Sequence, residues 1–559
     1  MRIFSSVLIS AAALTLMSCG SQEPADLVFT NAQVYTAEDN NPTAEAVAIK
    51  DGRFVYVGSQ AEVSSWIGPE TEVVDLSGAT VLPGLVDAHM HLSGVGNREL
   101  TLNLEGLNSL ESFLAKVKER VDQTAAGDWV TGRGWIETFW SPPVFPTRQD
   151  LDRIAPNNPV LLTRADGHAS IANSMALKLA GVTRDTRAPA GGAINKDSRG
   201  EPTGMLIDAA QGLVRRLVPP PSEAELDRAL VVGAERSLAL GWTQIHDAGG
   251  NLAEVERMRR LFQEGRLKLR IYKTVNGPSA SADSLIARGP SIDEFDGRFT
   301  FRTIKAVMDG ALGSRGAALL EPYSDDPSTT GLITTDTVAL RDMLERSLRA
   351  GIQVETHAIG DRANRILLDM YQAAFAVVPS GERHIAEPRW RNEHSQIVNP
   401  VDLPRFKELG IIASMQPSHA IGDLHFVPAR IGLDRTEGTY AWQTFLAAGV
   451  PVAGGSDAPV ERGEPMIEFY AAVARKDIRG FSGEGWHPEQ AVTRQQALKI
   501  FTYWPAFAAF EEDRRGTITA GKWADLTVLD RNIMAIPEDQ ILTTQNLMTV
   551  VNGEIVYRR

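Results

Sequence analysis

Leu82-Pro83-Gly84-Leu85-Val86-Asp87-Ala88-His89-Met90-His91 is an apolar run that ends on two histidines one residue apart. Residues i and i+2 of a strand point to the same face, so His89 and His91 can aim two imidazoles at one point. That is half of a metal site. A motif this short also arises among ordinary core or surface histidines. The reading therefore turns on whether further ligands stand at the ends of later strands.

Downstream, short apolar runs alternate with long helical stretches, the pattern of a parallel α/β protein. The strand candidates are 86–91, 243–247, 269–275, 303–308, 353–358, 390–394, 412–416 and 452–456. Eight parallel strands are what a (β/α)8 TIM barrel needs. Helix starts fall between them: Ser222-Glu223-Ala224-Glu225 reads as a capping box, and Thr493 precedes a periodic run through Ala497, Leu498 and Phe501. A doubly wound sheet would instead carry a glycine-rich phosphate turn after its first strand, and none follows His91. Roughly 150 residues separate the first two strand candidates, far more than a βα connection takes. A large insertion after strand one, over about 95–220, is expected to rise there from the catalytic face. It would hold a strand at Pro159-Val160-Leu161-Leu162 and a helix over 172–180, with Pro219-Pro220-Pro221 as its hinge back to the barrel. Its aromatics Trp135, Phe139 and Trp140 either wall a substrate pocket or form the insertion's own core, and Trp135 is carried as a substrate-binding candidate.

The chain ends read differently. Residues 26–82 are short β-branched runs broken by turns, with Asp51-Gly52 as a hairpin turn, and 524–529, 548–551 and 554–557 are strand-like again. Neither end alone has enough strands for a core, so 19–82 and 513–559 are expected to form one discontinuous β-domain beside a barrel at 83–512. The 559 residues, 43% hydrophobic and 23% charged, suit one large globular unit with a smaller companion. A net charge of −14, a pI near 5.3 and the lack of a basic stripe exclude nucleic acid as a partner.

Met1-Arg2, the apolar run 7–17, which is too short to span a bilayer, and Leu16-Met17-Ser18-Cys19 resemble a bacterial lipoprotein signal with its lipobox. The resemblance implies a signal peptide at 1–18, lipidation of Cys19 and stable membrane anchoring by several acyl chains. Gly20 in place of Asp implies the outer membrane, facing the periplasm, within the bacterial cell envelope. The single cysteine excludes an internal disulfide.

In a barrel, the C-terminal strand ends meet on one face. Here they carry His89 and His91, Lys305, His357, His394 and Asp457, and the chain has only ten histidines to distribute. Imidazole and carboxylate donors suit zinc first, with manganese, iron or cobalt fitting the same ligand logic. Lys305 would be repelled by a cation unless its charge is removed. Carbamylation by carbon dioxide would make it an anionic bridge, and otherwise it is a neutral amine or an ion-pair partner of Asp309.

These residues resemble the binuclear subtype of the amidohydrolase superfamily. The runs Thr356 to Ala363 (THAIGDRA), Asp309 to Ala317 (DGALGSRGA), Arg164 to Leu177 (RADGHASIANSMAL) and Gly521 to Asp530 (GKWADLTVLD) are similar to amidohydrolase family 3, which includes N-substituted formamide deformylases. The resemblance covers nearly everything after Asp26. It implies that the companion domain is a β-sandwich and that two divalent metal ions are bound. His89, His91 and Asp457 would hold the first, His357 and His394 the second, with carbamylated Lys305 bridging. It further implies hydrolysis of a non-peptide carbon–nitrogen bond in a small amide-type substrate by a metal-bridged hydroxide, with Asp457 as the catalytic proton carrier. Ester hydrolysis or deamination on the same site, and a non-catalytic ligand-binding lipoprotein, are the alternatives; Lys305 argues against deamination, and the filled ligand set argues against a binding module. His168, Arg315, Gln416 and His419 are further candidates for substrate contact. His246 reads as supporting or structural, and His384, His425 and His487 as surface or loop residues. The oligomeric state is left open, with a homodimer as one option.

Overall fold

The computed structural model describes residues 23–559 apart from 138–139, 166, 168, 190–191 and 484–485. The expected signal segment, Cys19, Gly20, Phe139 and His168 lie outside the described residues. Eight strands run parallel in one sheet, paired in chain order: Leu85–Met90, Trp242–Asp247, Arg270–Asn276, Phe299–Val307, Gln353–Ala358, Arg391–His394, Ile412–Met415 and Val452–Gly454. Strands one, two and seven are buried along their whole length, as parallel strands covered on both faces must be. The sheet curls until its ends meet. The Asp457 amide donates to the His89 carbonyl at 2.7 Å and the His91 amide to the Ala458 carbonyl at 2.8 Å, leaving a nearly closed barrel.

Helices fill the connections with the expected start signals. Ser222 and Glu225 form a reciprocal capping box for Glu223–Leu240, which stops where Gly241 turns left-handed at φ 107°. Thr493 and Gln496 do the same for Arg494–Ile500. Among the described residues, no helix is long and apolar enough to cross a membrane.

Both chain ends contribute to one six-stranded sheet, ordered Glu554–Arg558, Asn546–Val551, Leu526–Leu529, Thr80–Pro83, Gln33–Tyr35 and Thr43–Ala44. The joint between the ends is the antiparallel pair of Leu526–Leu529 with Thr80–Pro83. A second, four-stranded sheet comes from the N-terminal end alone, and Asp51-Gly52 turns its hairpin with φ of 49° and 72°. Phe29, Val47 and Phe54 share a core with Leu526, Val528 and Val550. From Pro83 the chain passes through Gly84 straight into barrel strand one. A Cβ on Gly84 would lie 2.3 Å from Thr243 Oγ1 and 2.8 Å from Asp525 Cβ, so only glycine fits this crossing.

Between strands one and two, a separate six-stranded sheet is built from Gly192–Lys196, Pro202–Asp208, Ala169–Ala172, Val160–Arg164, Val130–Trp135 and Leu102–Asn103. It has its own apolar clusters, and one of them corrects an expectation. Trp135 is fully buried against Phe113 and Trp140, each ring about 6.0 Å away, and its indole N–H donates to the Leu162 carbonyl at 3.1 Å. A ring with its polar atom satisfied inside the insertion is packing there, and it offers no surface to a substrate.

Candidate metal centre

All six expected ligand residues converge at the C-terminal end of the barrel. His91 Nε2 lies 3.1 Å and His89 Nε2 3.7 Å from Asp457 Oδ1, and Lys305 Nζ lies 3.1 Å from His89 Nε2. The His394 ring is 4.9 Å from that of His89 and 4.5 Å from that of His357. The tightest group is His89, His394 and Asp457, whose ligand atoms all lie within 4.8 Å of one another. The group spans both of the sets that the sequence separates, because the His394 ring leans over His89, so the two sets adjoin.

Three of the imidazoles are oriented in the same way. Nδ1 of His89 faces the Glu393 carboxylate, that of His91 lies 2.8 Å from the Ala248 carbonyl, and that of His394 lies 2.8 Å from Gln416 Oε1. Each partner is an acceptor, so each Nδ1 carries the proton and each Nε2 turns its lone pair toward the centre. Burial, reinforced by the neighbouring Lys305, pushes His89 down to about 4. Burial and the adjacent His357 and His89 take His394 well below the usual imidazole range. Burial works against the Asp457 charge, but the His91 contact and the surrounding imidazoles hold this carboxyl well below the usual range. His91 is raised: burial opposes its charge, and Asp457 outweighs burial.

The donor set fits a divalent cation. Asp457 Oδ1 and His357 Nε2 are buried without a hydrogen-bond partner among the described residues. Oδ1 and the Nε2 atoms of His91 and His89 are electron-pair donors turned on one another, a convergence that is stable when a proton or a metal ion sits among them. The backbone supports this crowding: His394 and Asp457 take left-handed φ of 74° and 58°, where β-region geometry would turn their side chains elsewhere.

The remaining candidates fall in different places. Gln416 sits at the centre, its carbonyl oxygen engaged by His394 and its Nε2 buried without a hydrogen-bond partner among the described residues. The His419 ring stacks 5.7 Å from that of His394, with Nε2 3.6 Å from Asp457 Oδ2 and 3.9 Å from Glu461 Oε1. Arg315 is clamped by Asp325 through two 3.0 Å bonds, so its anionic partner is internal. Asp309 is not the partner of Lys305. Its carboxylate accepts the Ala318, Ile359 and Gly360 amides and lies 3.4 Å from His357 Nε2. His246 is buried 2.8 Å from an Arg391 guanidinium nitrogen, a supporting position. His384 and His425 are exposed and His487 is half-buried.

Two residues were not singled out in the sequence. Asp87 accepts the His89 and Ser456 amides at 3.1 and 2.9 Å, joining strand one to the segment after strand eight, and burial pushes it up to about 7. Glu393 is fully buried between His89 and Arg391, whose Nε lies 2.7 Å from Glu393 Oε1. Asp87 is signalled by its place two residues before His89, on the same face of the strand. Glu393 carries no such signal, because a regular strand would turn it away from its neighbour His394.

A barrel whose C-terminal end gathers oriented imidazoles and an ionised aspartate around one point defines a metal-dependent hydrolase. The amidohydrolase family pattern matches residues 72–557, and the chain belongs to that family. It is 35% identical over 533 residues to the putative amidohydrolase YtcJ of Bacillus subtilis strain 168, covering 94% of this chain and 98% of that one. It is 30% identical over 545 residues to the N-substituted formamide deformylase of Arthrobacter pascens, covering 96% and 98%. Protein LONG AFTER FAR-RED 3 of Arabidopsis thaliana is 35% identical over 521 residues, covering 91% and 88%. Among solved structures, an uncharacterized metal-dependent hydrolase from Pyrococcus horikoshii OT3 superposes with a TM-score of 0.74 at 25% identity, covering 92% of this chain and 99% of that one.

Proposed function

We propose that the protein hydrolyses a non-peptide carbon–nitrogen bond in a small amide-type substrate. The observation that carries the reading is the convergence of His89, His394 and Asp457, with the imidazoles neutral and the aspartate ionised. The length-wide similarity to a formamide deformylase supports the choice of bond. His89, His91 and Asp457 would hold one divalent ion and His357 and His394 a second, zinc in both places, with Lys305 as a carbamate between them. When bound, the ions would supply Lewis acidity, lowering the pKa of water toward ~7 and polarising the carbonyl.

The chain's own groups do the rest. Asp457, ionised and with Oδ1 free of other donors, takes the proton of the attacking water and returns it to the departing amine nitrogen. Gln416 and Glu393 keep His394 and His89 in the tautomers that face the reaction. His419, beside both Asp457 and Glu461, is a candidate for contact with a substrate held at the centre.

A panel of N-formyl, N-acyl and cyclic amides, with ester controls, read by release of amine or carboxylate, tests this function. Turnover of an amide that falls by about 10²–10⁴-fold in Asp457→Asn supports it, and turnover confined to esters overturns it. For the N-terminus we propose lipidation at Cys19 and residence at the outer membrane. Fatty-acid labelling and membrane fractionation of the full chain against Cys19→Ala decide this, and equal partitioning of the two would refute it.

A further inference from the structure

Beneath the centre, the barrel interior holds an unusual density of buried charge: Arg391, Glu393 and Glu355 are all at most 1% exposed. Arg391 on strand six touches four other strands. Its guanidinium donates to the Ala88 carbonyl of strand one at 2.5 Å and to Ser414 Oγ of strand seven at 2.8 Å. It lies 2.8 Å from His246 Nδ1 on strand two and 3.5 Å from Glu355 on strand five. Its remaining edge, Nε, faces Glu393 Oε1 at 2.7 Å, and the other Glu393 oxygen meets His89 Nδ1. The five-donor guanidinium fork is thus spent on the barrel wall, and its last contact aims one carboxylate at one metal-binding histidine.

We propose that Glu393 is a positioning residue for the metal centre. Held in place by Arg391, its carboxylate fixes the His89 ring and tautomer with Nε2 toward the ion. The same guanidinium joins strands one, two, five, six and seven, so closure of the barrel and readiness of His89 are one event. Two features separate this from ordinary core packing. The Glu393 carboxylate is set between two partners, one oxygen facing Arg391 Nε and the other His89 Nδ1. A charged acceptor on the second nitrogen of an imidazole also raises the basicity of the first. In addition, the pair spends two buried charges where apolar side chains would pack without cost, which a purely structural position does not require.

The proposal rests on the metal-centre reading above, and the test keeps the two apart. Metal-free full-length protein and its Glu393→Gln and Glu393→Asp variants would be titrated with zinc against a chromophoric chelator. Cobalt-substituted samples would be read for the absorption bands that report ligand geometry. Glutamine keeps the length and loses the charge; aspartate keeps the charge beside Arg391 and withdraws from His89. Both should bind zinc 10- to 100-fold more weakly and shift the cobalt bands. In a His89→Ala background, adding Glu393→Gln should change zinc affinity less than twofold, because the lever has lost its arm. Zinc affinity within twofold of the parent, in whichever of the two variants is folded, overturns the role of Glu393. Failure of the unaltered protein to bind zinc overturns the metal centre instead.

Discussion

Gly455 offers a direct test of how barrel closure sets the centre. It follows strand eight and precedes Ser456 and Asp457, and a Cβ placed on it would lie 2.5 Å from the His89 backbone nitrogen, 2.8 Å from Asp87 Oδ1 and 3.0 Å from His89 Cβ. Two of these are fixed parts of strand one, so Gly455→Ala must open the seam by about 0.9 Å to reach ordinary contact near 3.4 Å. Overpacking of this kind costs about 1–3 kcal/mol. The effect on chemistry is larger in proportion, because a misplacement of about 1 Å between reacting groups costs about 10²-fold in rate. Gly454 provides the control. Its Cβ would meet Ile500 Cγ2 at 2.5 Å and the Phe501 ring at 2.6 Å, a clash of similar severity on the face turned from the centre. Both alanine variants should melt earlier by comparable amounts. Only Gly455→Ala should lose about 10²-fold in turnover of the best amide of the panel and bind zinc measurably more weakly in the chelator titration. Equal loss of zinc affinity in the two variants, or Gly455→Ala within threefold of the parent in turnover, would refute the reasoning.

In metal-free protein, His89 should contribute stability over a defined pH window. His89 is held at about 4, against ~6.5 when unfolded, so its contribution is complete above pH ~6.5 and is lost as pH falls toward 4, about 3 kcal/mol in all. His394 and His246 act in the same direction, while the raised His91 and the buried carboxyls Asp87, Glu355 and Glu461, each carboxyl pushed up to about 7, act in the opposite one. Urea titrations of the parent and His89→Asn from pH 4 to 7 isolate the His89 part, because the other groups are common to both; the stability difference should grow in the parent's favour as pH rises, and a difference constant over that range contradicts the assignment. Gln416→Leu leaves His394 Nδ1 without its acceptor and should weaken zinc binding 10- to 100-fold in the chelator titration. Trp135→Ala should cost about 3–5 kcal/mol within the insertion and expose it to limited proteolysis, while zinc content stays that of the parent.

The barrel was legible because eight short strand-forming segments alternate with long helical stretches, and because candidate ligands at strand ends announce themselves by position. His89, His91, Lys305, His357, His394 and Asp457 were singled out as candidates in this way, and the fold brings them together. The insertion's sheet was largely missed. Its strands are two to seven residues long and several have mixed burial, which leaves little periodicity to read. Trp135 shows a different limit: an aromatic's identity says that it will be buried, not in which core. Arg315 was read without Asp325, whose pairing depends on the path of the loop between them. Gln416 was placed at the centre, but its contact with His394 was not foreseen, since the sequence cannot say which way an amide turns. Glu393 escaped because strand alternation argues against it, and the left-handed turn at His394 that overrides alternation leaves no mark in composition.

The strand Thr80–Pro83 pairs with Leu526–Leu529 and continues one residue later into the strand that bears His89 and His91. On the ribosome these partners emerge more than 400 residues apart. The strand that bears His89 and His91 must wait, its entry unclasped, until Leu526–Leu529 has been made. Pairings this distant in sequence are slow to form. The nascent chain therefore carries its histidine pair long before the clasp that steadies it exists, and a steady pair of imidazoles comes only after that distant strand has been made.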